Sequence, residues 1–266
     1  MALPLQAKKG DGHLFIIGGG DRPDSLMTQF VDLAGGQKKA KILIVPYASA
    51  DINDTGSYQK EGFQRLGVKD VDYIHVEKKD IDTPEALKQL DGVTGIFFSG
   101  GDQNRLTQLL LGTKFLEKIK KIHADGGVIG GTSAGAAIMS KIMLTGEELN
   151  APEKRKGDFS YIQKGNVEVT EGFGFVDNAI IDQHFVIRKR ENRLLTLVLE
   201  KGLTGIGIDE ATAIIVDTNG KFRVAGHSQV LVFEPKAPTE VTHTNHLKTK
   251  ELTLRILTAG DEYQIK

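Results

Sequence analysis

Short apolar runs alternate with segments of helical spacing through the first half of the chain. His13-Leu14-Phe15-Ile16-Ile17 predicts a strand running into glycines, and Pro23 to Ala34 predicts a helix stopped by Gly35-Gly36. Lys41 to Pro46 reads as a strand buried on both faces, Gly56 to Leu66 as a helix, Val71 to Val76 as a strand and Pro84 to Leu90 as a short helix. Thr94 to Phe98 is a strand ending at Ser99-Gly100-Gly101. Helices over Asn104 to Leu111 and Lys114 to His123 follow, then the apolar strand Val128-Ile129. This β-α alternation predicts an α/β fold with a mostly parallel sheet flanked by helices, and such sheets hold ligands at the carboxyl ends of their strands.

Farther on, Gly146 to Lys164 is polar and charged and reads as a surface loop. Ile180 to Phe185 predicts a strand and Arg190 to Glu200 a helix. From Ile206 the pattern turns to β, with strands at Ala213 to Val216, Phe222 to Val224 and Gln229 to Phe233. Asn219-Gly220 is a hairpin signal between the first two. This β-rich C-terminal part reads as an extension of the sheet, so residues 1–266 are expected to form a single domain.

Composition removes whole classes of function. Thirty-four basic and 35 acidic residues leave a formal net charge of -1, which asks for neither nucleic acid nor an anionic membrane. Absent cysteines exclude thiolate catalysis and Cys-zinc sites. No apolar stretch is long enough to span a bilayer, and Met1 to Gly12 lacks the apolar core of a signal peptide. The expectation is a soluble, cytoplasmic protein.

The candidate chemistry centres on Gly131-Thr132-Ser133-Ala134-Gly135, a G-x-S-x-G motif between a strand and the helical run Ala136 to Met139. In this context the motif is a nucleophile elbow, a sharp turn that lifts one hydroxyl above the sheet edge. An ordinary glycine-rich βα turn has the same composition, so partners decide. A serine nucleophile needs a base and the base needs an acceptor. His184, at the end of the Ile180 strand, is the candidate base. His123 reads as a cation closing a helix, and His243 and His246 as solvated residues of a polar segment. Three acids compete to orient His184. Asp209 and Glu210 follow the small strand Gly205-Ile206-Gly207-Ile208, while Asp182 lies two residues before His184, on the same strand face by alternation. The order Ser133, His184, Glu210 differs from that of α/β-hydrolases. Backbone N–H groups of Ala134 and of the Gly100-Gly101 turn are the candidate oxyanion donors, and Gln103 can reach the site with its amide. Gly18-Gly19-Gly20 is a poor dinucleotide loop, because Asp24 stands where the third glycine should be. Arg188, Lys189, Arg190 and Arg193 put cations at a helix amino terminus, against its dipole, in a place suited to binding carboxylates.

Gly-Gly-Asp-Gln at 100–103, Gly-Thr-Ser-Ala-Gly-Ala at 131–136, Asp-Gln-His-Phe at 182–185 with its spaced arginines, and Gly-Ile-Asp-Glu at 207–210 resemble the cyanophycinases. These belong to a serine peptidase family that also contains aspartyl dipeptidase, and the resemblance runs from about Phe15 to about Phe233. It implies a fold like the class I glutamine amidotransferases (flavodoxin-like), a homodimer, and neither metal nor cofactor. It implies hydrolysis of cyanophycin, a poly-aspartate whose side chains carry arginine, to β-aspartyl-arginine dipeptides. By position, Ser133 is the implied nucleophile, His184 the base and Glu210 the acid, with Gly101 and Ala134 as oxyanion donors. Gln103, Asp182, Gln183, Arg188, Arg190 and Arg193 are the implied substrate-binding residues. An aspartyl or isoaspartyl dipeptidase is the alternative, and a non-catalytic binding protein a third reading.

Overall fold

Leu14 and Ile16 are buried in one apolar cluster and Phe15 and Ile17 in another. One strand therefore faces two cores, as a central strand of a helix-covered sheet must. In the computed structural model, residues 12–150 and 159–266 are described. The elements of the first half are β1 (His13–Ile17), α1 (Asp24–Leu33), β2 (Lys41–Val45), α2 (Ile52–Arg65), β3 (Asp70–Tyr73), α3 (Pro84–Lys88), β4 (Gly95–Phe98), α4 (Gln103–Leu110), α5 (Lys114–Ala124), β5 (Val128–Thr132) and α6 (Ala134–Ala137). The second half adds β6 (Ile142–Glu148), β7 (Val167–Glu171), β8 (Ala179–Gln183), α7 (Glu191–Lys201), β9 (Thr204–Ile208), β10 (Thr212–Val216), β11 (Lys221–Gly226) and β12 (Val230–Pro235). The chain closes with β13 (Glu240–Val241), β14 (Leu247–Lys248), β15 (Leu252–Leu257) and β16 (Glu262–Gln264).

The large sheet has the order β16-β11-β10-β1-β5-β4-β2-β3. The neighbours β1, β5, β4, β2 and β3 run parallel. The neighbours β10, β11 and β16 are added antiparallel at the β1 side. Leu26, Phe30 and Val31 of α1 and Phe63 of α2 cover one face, where Phe30 meets Phe15, Phe63 and Phe97. Residues of α4, α5 and α6 cover the other. The fold is thus mixed α/β, a large sheet flanked by helices. Among the described residues no helix is long and apolar enough to cross a membrane.

The observed ends follow local chemistry. α2 starts earlier than its periodicity predicts, because the Asp51 carboxylate accepts the Asp54 N–H and caps the first turn. α7 ends at Gly202, which takes the left-handed conformation at φ 67°. Asn219-Gly220 turns the chain between β10 and β11 as predicted.

Three expectations change. Gln229 to Phe233 does not extend the large sheet. As β12 it joins a second sheet of order β15-β12-β9-β8, whose outer face packs on Leu194, Leu197 and Val198 of α7. The residues expected to begin a loop at Gly146 instead continue β6, which pairs with β7 through a bulge. Residues 151–158 of that expected loop lie outside the described residues. His123 sits in the last turn of α5 as predicted, but its surroundings disfavour the charge expected of it. Burial, reinforced by His13, lowers its pKa from 6.5, and its ring stands edge-on to Phe175.

Candidate active site

Strand register brings the site together before any side chain is considered. Ile17 of β1 pairs with Thr132 of β5, so Gly18 and Ser133 emerge side by side. Gln183 of β8 pairs with Ile208 of β9, so His184 lies level with the Asp209-Glu210 turn. The two sheets are joined there, because the His184 N–H donates to the Gly18 carbonyl at 2.7 Å and the Ala211 N–H to the Gly19 carbonyl at 2.9 Å. The carboxyl ends of β5, β8 and β9 thus meet at one edge, the place expected of an α/β sheet.

Ser133 occupies the turn between β5 and α6 with φ 54° and ψ -109°. A non-glycine residue rarely adopts that conformation, and such strain is found where a side chain must be held in place. The imidazole Nε2 of His184 lies 2.8 Å from Ser133 Oγ, and its Nδ1 lies 2.5 Å from Glu210 Oε1. His184 itself takes φ 48°. That turn breaks the strand alternation, so His184 does not share a face with Asp182. With Nδ1–H donated to Glu210, Nε2 is left to accept a proton from the serine hydroxyl. Burial lowers the His184 pKa below its ordinary 6.5. The bond to Glu210 opposes this, and the nearby cations Arg188 and Arg190 lower it further. The ring is therefore neutral at neutral pH.

Asp209 has a different task. It accepts the N–H groups of Val186 and Ile187 and the Ser228 hydroxyl. It thereby fixes the chain that carries His184. Around Ser133, the N–H groups of Gly100, Gly101 and Ala134 find no acceptor among the described residues. Gly100 lies against Ser133 and Ala134 follows it in the chain, and free donors there suit an anion that forms only during reaction.

Several residues that the sequence directs at a ligand turn out to serve one another. Asp182 is 1% exposed and receives Arg193 through both carboxylate oxygens, with Arg193 Nε at 2.7 Å. Arg190 donates to the carbonyl and side-chain oxygens of Gln183. Burial, and then its neighbour Arg193, push the Arg190 pKa down to about 10. Gln103 donates to the carbonyls of Leu144 and Thr145 and so ties α4 to β6. Arg188 remains exposed. The cations at the start of α7 thus answer a buried carboxylate beneath them, which resolves their conflict with the helix dipole. Arg193→Ala would strand that carboxylate, and we expect it to cost about 3–5 kcal/mol in urea unfolding. A loss below about 1 kcal/mol would show that the pair does not hold the fold.

The triple glycine fits no dinucleotide loop but does build this site. A Cβ on Gly19 would lie 2.3 Å from the His184 ring, and one on Gly20 would lie 2.6 Å from a Glu210 carboxylate oxygen. Both glycines have positive φ. Nothing in the sequence singles out Arg22, Tyr58 and Gln59. They line a cleft of about 430 Å³ with Gly100, Ser133 and His184. A visible signal existed for the glycines, which end the strand next to the serine strand. None existed for α2, whose Gln59 looks like any helical glutamine.

Comparison with known proteins gives a consistent picture. Residues 14–224 match the description of peptidase family S51. The cyanophycinase of Synechococcus elongatus is 33% identical over 270 aligned positions, which cover 96% of this chain and 80% of that protein. The cyanophycinase of Geminocystis herdmanii (strain PCC 6308) is 32% identical, covering 95% of this chain and 93% of that protein. Among solved structures, a peptidase from an acI-B1 Actinobacterium superimposes with a TM-score of 0.70 at 23% identity, covering 97% of this chain and 99% of that one. At that identity the likeness speaks for the fold alone.

Proposed function

This chain belongs to peptidase family S51, and we propose that it is an exopeptidase that hydrolyses cyanophycin to β-aspartyl-arginine dipeptides through an acyl-enzyme on Ser133. It is a serine-type peptidase of that family. One observation carries the mechanism: His184 bridges Ser133 Oγ at 2.8 Å and Glu210 at 2.5 Å. The choice of substrate is supported by the similarity to cyanophycinases over nearly the whole chain.

In this reading Ser133 sits on a nucleophile elbow. Its Oγ attacks the carbonyl carbon of a main-chain amide in the poly-aspartate and passes its proton to His184 Nε2. Glu210 stabilises the imidazolium. The carbonyl oxygen becomes an oxyanion held by the N–H groups of Gly101 and Ala134. His184 then protonates the leaving amine, the C–N bond breaks and an ester remains on Ser133. Water, deprotonated by His184, attacks that ester, and the proton returns to Ser133 as it leaves. The isopeptide bond between aspartate and arginine is untouched, so the product is the dipeptide.

We assign substrate contact to the exposed Arg188 and to the side-chain oxygen of Gln103, whose NH2 group is held by the Leu144 and Thr145 carbonyls. Gln183 and Arg190 frame the rim, while the pair Asp182–Arg193 positions the end of β8. We extend the reading to one peptidase domain with an amidotransferase-like core and a β-rich C-terminal extension. We also extend it to a homodimer working in the cytoplasm without metal or cofactor, as the resemblance implies.

The test is to supply insoluble cyanophycin and, separately, isoaspartyl dipeptides. Release of β-aspartyl-arginine from the polymer supports the reading, while hydrolysis of dipeptides alone would replace it with a dipeptidase. A pH prediction follows from the lowered His184 pKa. The base works only when neutral, so kcat/KM falls as pH drops through that pKa. Its acid limb should lie below pH 6.5, the ordinary imidazole value. An acid limb above it would mean that His184 is not the group being titrated.

A further inference from the structure

Glu210 is held in place through its main chain. Among the described residues its carboxylate has one hydrogen-bond partner, the His184 ring, and its side chain is 34% exposed. A glutamate has several free torsions, so keeping it on Nδ1 falls to the backbone beneath it. That backbone is the turn Asp209-Glu210-Ala211, which carries the chain from β9 in the second sheet to β10 in the large one. Ala211 takes φ 52° there, a conformation that persists in a non-glycine residue only where its surroundings impose it.

A second crossing between the sheets lies alongside. Residues 227–229 lead from β11 in the large sheet to β12 in the second. The two crossings are laced together, because the His227 N–H donates to the Ala211 carbonyl at 3.0 Å and the Asp209 N–H to the Gln229 carbonyl at 3.1 Å. Thr212 sits between them and is fully buried. Its hydroxyl donates to the Glu210 carbonyl at 3.1 Å and accepts the Ser228 N–H at 2.8 Å. Its own carbonyl accepts the Gly18 N–H at 2.9 Å, and the Gly18 carbonyl accepts the His184 N–H at 2.7 Å. Thr212 therefore joins the supports of the acid to those of the base. Donating and accepting at one atom requires a hydroxyl, and a methyl group in its place would leave both partners unpaired.

We propose that Thr212 is a positioning residue for the acid: its buried hydroxyl clamps the two crossings so that Glu210 stays on His184 Nδ1. The proposal rests on the reading of Ser133, His184 and Glu210 as a serine-peptidase triad. It assigns Thr212 a task separate from that of Asp209, which holds the segment after His184 rather than the residue that carries the acid.

The charges around His184 give the clamp a signature. Burial lowers the ring's pKa, the hydrogen bond to Glu210 raises it, and Arg188 and Arg190 lower it. Arg22 faces the same cleft. With Glu210 drawn away the cations are less opposed, so the ring titrates at lower pH. Loss of the clamp thus makes the site slower and moves its acid limb down. Loss of stability alone moves neither, as long as the protein is folded.

Labelling of Ser133 by a small fluorophosphonate, followed across the acid limb, reads both effects without the polymer. Thr212→Val keeps nearly the same shape and removes the hydroxyl. It should label roughly ten- to a hundredfold more slowly than the parent, with its acid limb moved to lower pH, as Glu210→Gln should also move it. Thr212→Ser keeps the hydroxyl and loses the methyl group, and it should recover most of the rate and the parental limb. Should Thr212→Val fail to fold, Thr212→Ala takes its place, since it differs from Thr212→Ser by the hydroxyl alone. Failure of both to fold would make the hydroxyl a stability element and overturn the proposal. Equal losses in Thr212→Ser and Thr212→Val, or slow labelling with an unmoved limb, would overturn it too. A parent whose Ser133 does not label would bring down the peptidase reading and the clamp with it. A labelled parent matched by Thr212→Val in rate and limb would bring down the clamp alone.

Discussion

Ser133→Ala is expected to fold like the parent protein and to lose roughly 10⁶-fold in kcat on cyanophycin. The fold should survive because the substitution removes one hydroxyl and leaves the backbone demand, φ 54°, as it was. Activity should collapse because nothing else near His184 Nε2 can form the ester. The only side-chain partner of that nitrogen among the described residues is Ser133 Oγ. Thermal melting and polymer solubilisation, measured on the same sample, separate the two effects. A variant that melts normally and retains even a tenth of the parental rate would remove Ser133 from the mechanism.

The second large effect concerns the acids. Glu210→Gln keeps the shape of the site, but its amide can present an N–H to His184 Nδ1 and favour the wrong tautomer. A loss of about 10⁴-fold in kcat is expected. Asp209→Asn should act on the protein differently. Its carboxylate accepts two backbone N–H groups and a hydroxyl. Substitution should lower the unfolding free energy by about 1–3 kcal/mol while kcat changes far less. If Asp209→Asn were the catalytically dead variant and Glu210→Gln the unstable one, the roles of the two neighbours would have to be exchanged.

The parallel strands were legible because both their faces are apolar: a run such as Phe15-Ile16-Ile17 has no other stable place. Ser133 and His184 were legible because each ends such a run. The choice among Asp182, Asp209 and Glu210 was not, since all three lie near the right edge in one dimension. It depends on the positive φ of His184, which turns the ring away from Asp182 and toward Glu210, and no residue type announces that torsion at a histidine. The arginines stand out in sequence as a cluster, but the pairing of Arg193 with Asp182 does not. A carboxylate inside a strand looks the same in sequence whether it faces a ligand or a buried guanidinium. β6 and β7 are hidden by their glutamates, of which Glu147, Glu168 and Glu171 are exposed while Glu148 turns in to accept from Asn166 and the Ser160 N–H. Gln59 and Arg22 came from separate elements that only the packing of α2 beside the first loop brings to the serine.

The most direct measurement is covalent. A small fluorophosphonate reacts with a serine hydroxyl only when a neighbouring base activates it. Peptide mapping by mass spectrometry of a partly labelled sample gives the site and the extent of modification, and the same sample gives the remaining rate on cyanophycin. The account predicts one adduct, on Ser133, with activity falling in proportion to its occupancy and no adduct in His184→Ala. Labelling at another residue, or full polymer hydrolysis by a protein whose Ser133 is completely modified, would contradict it.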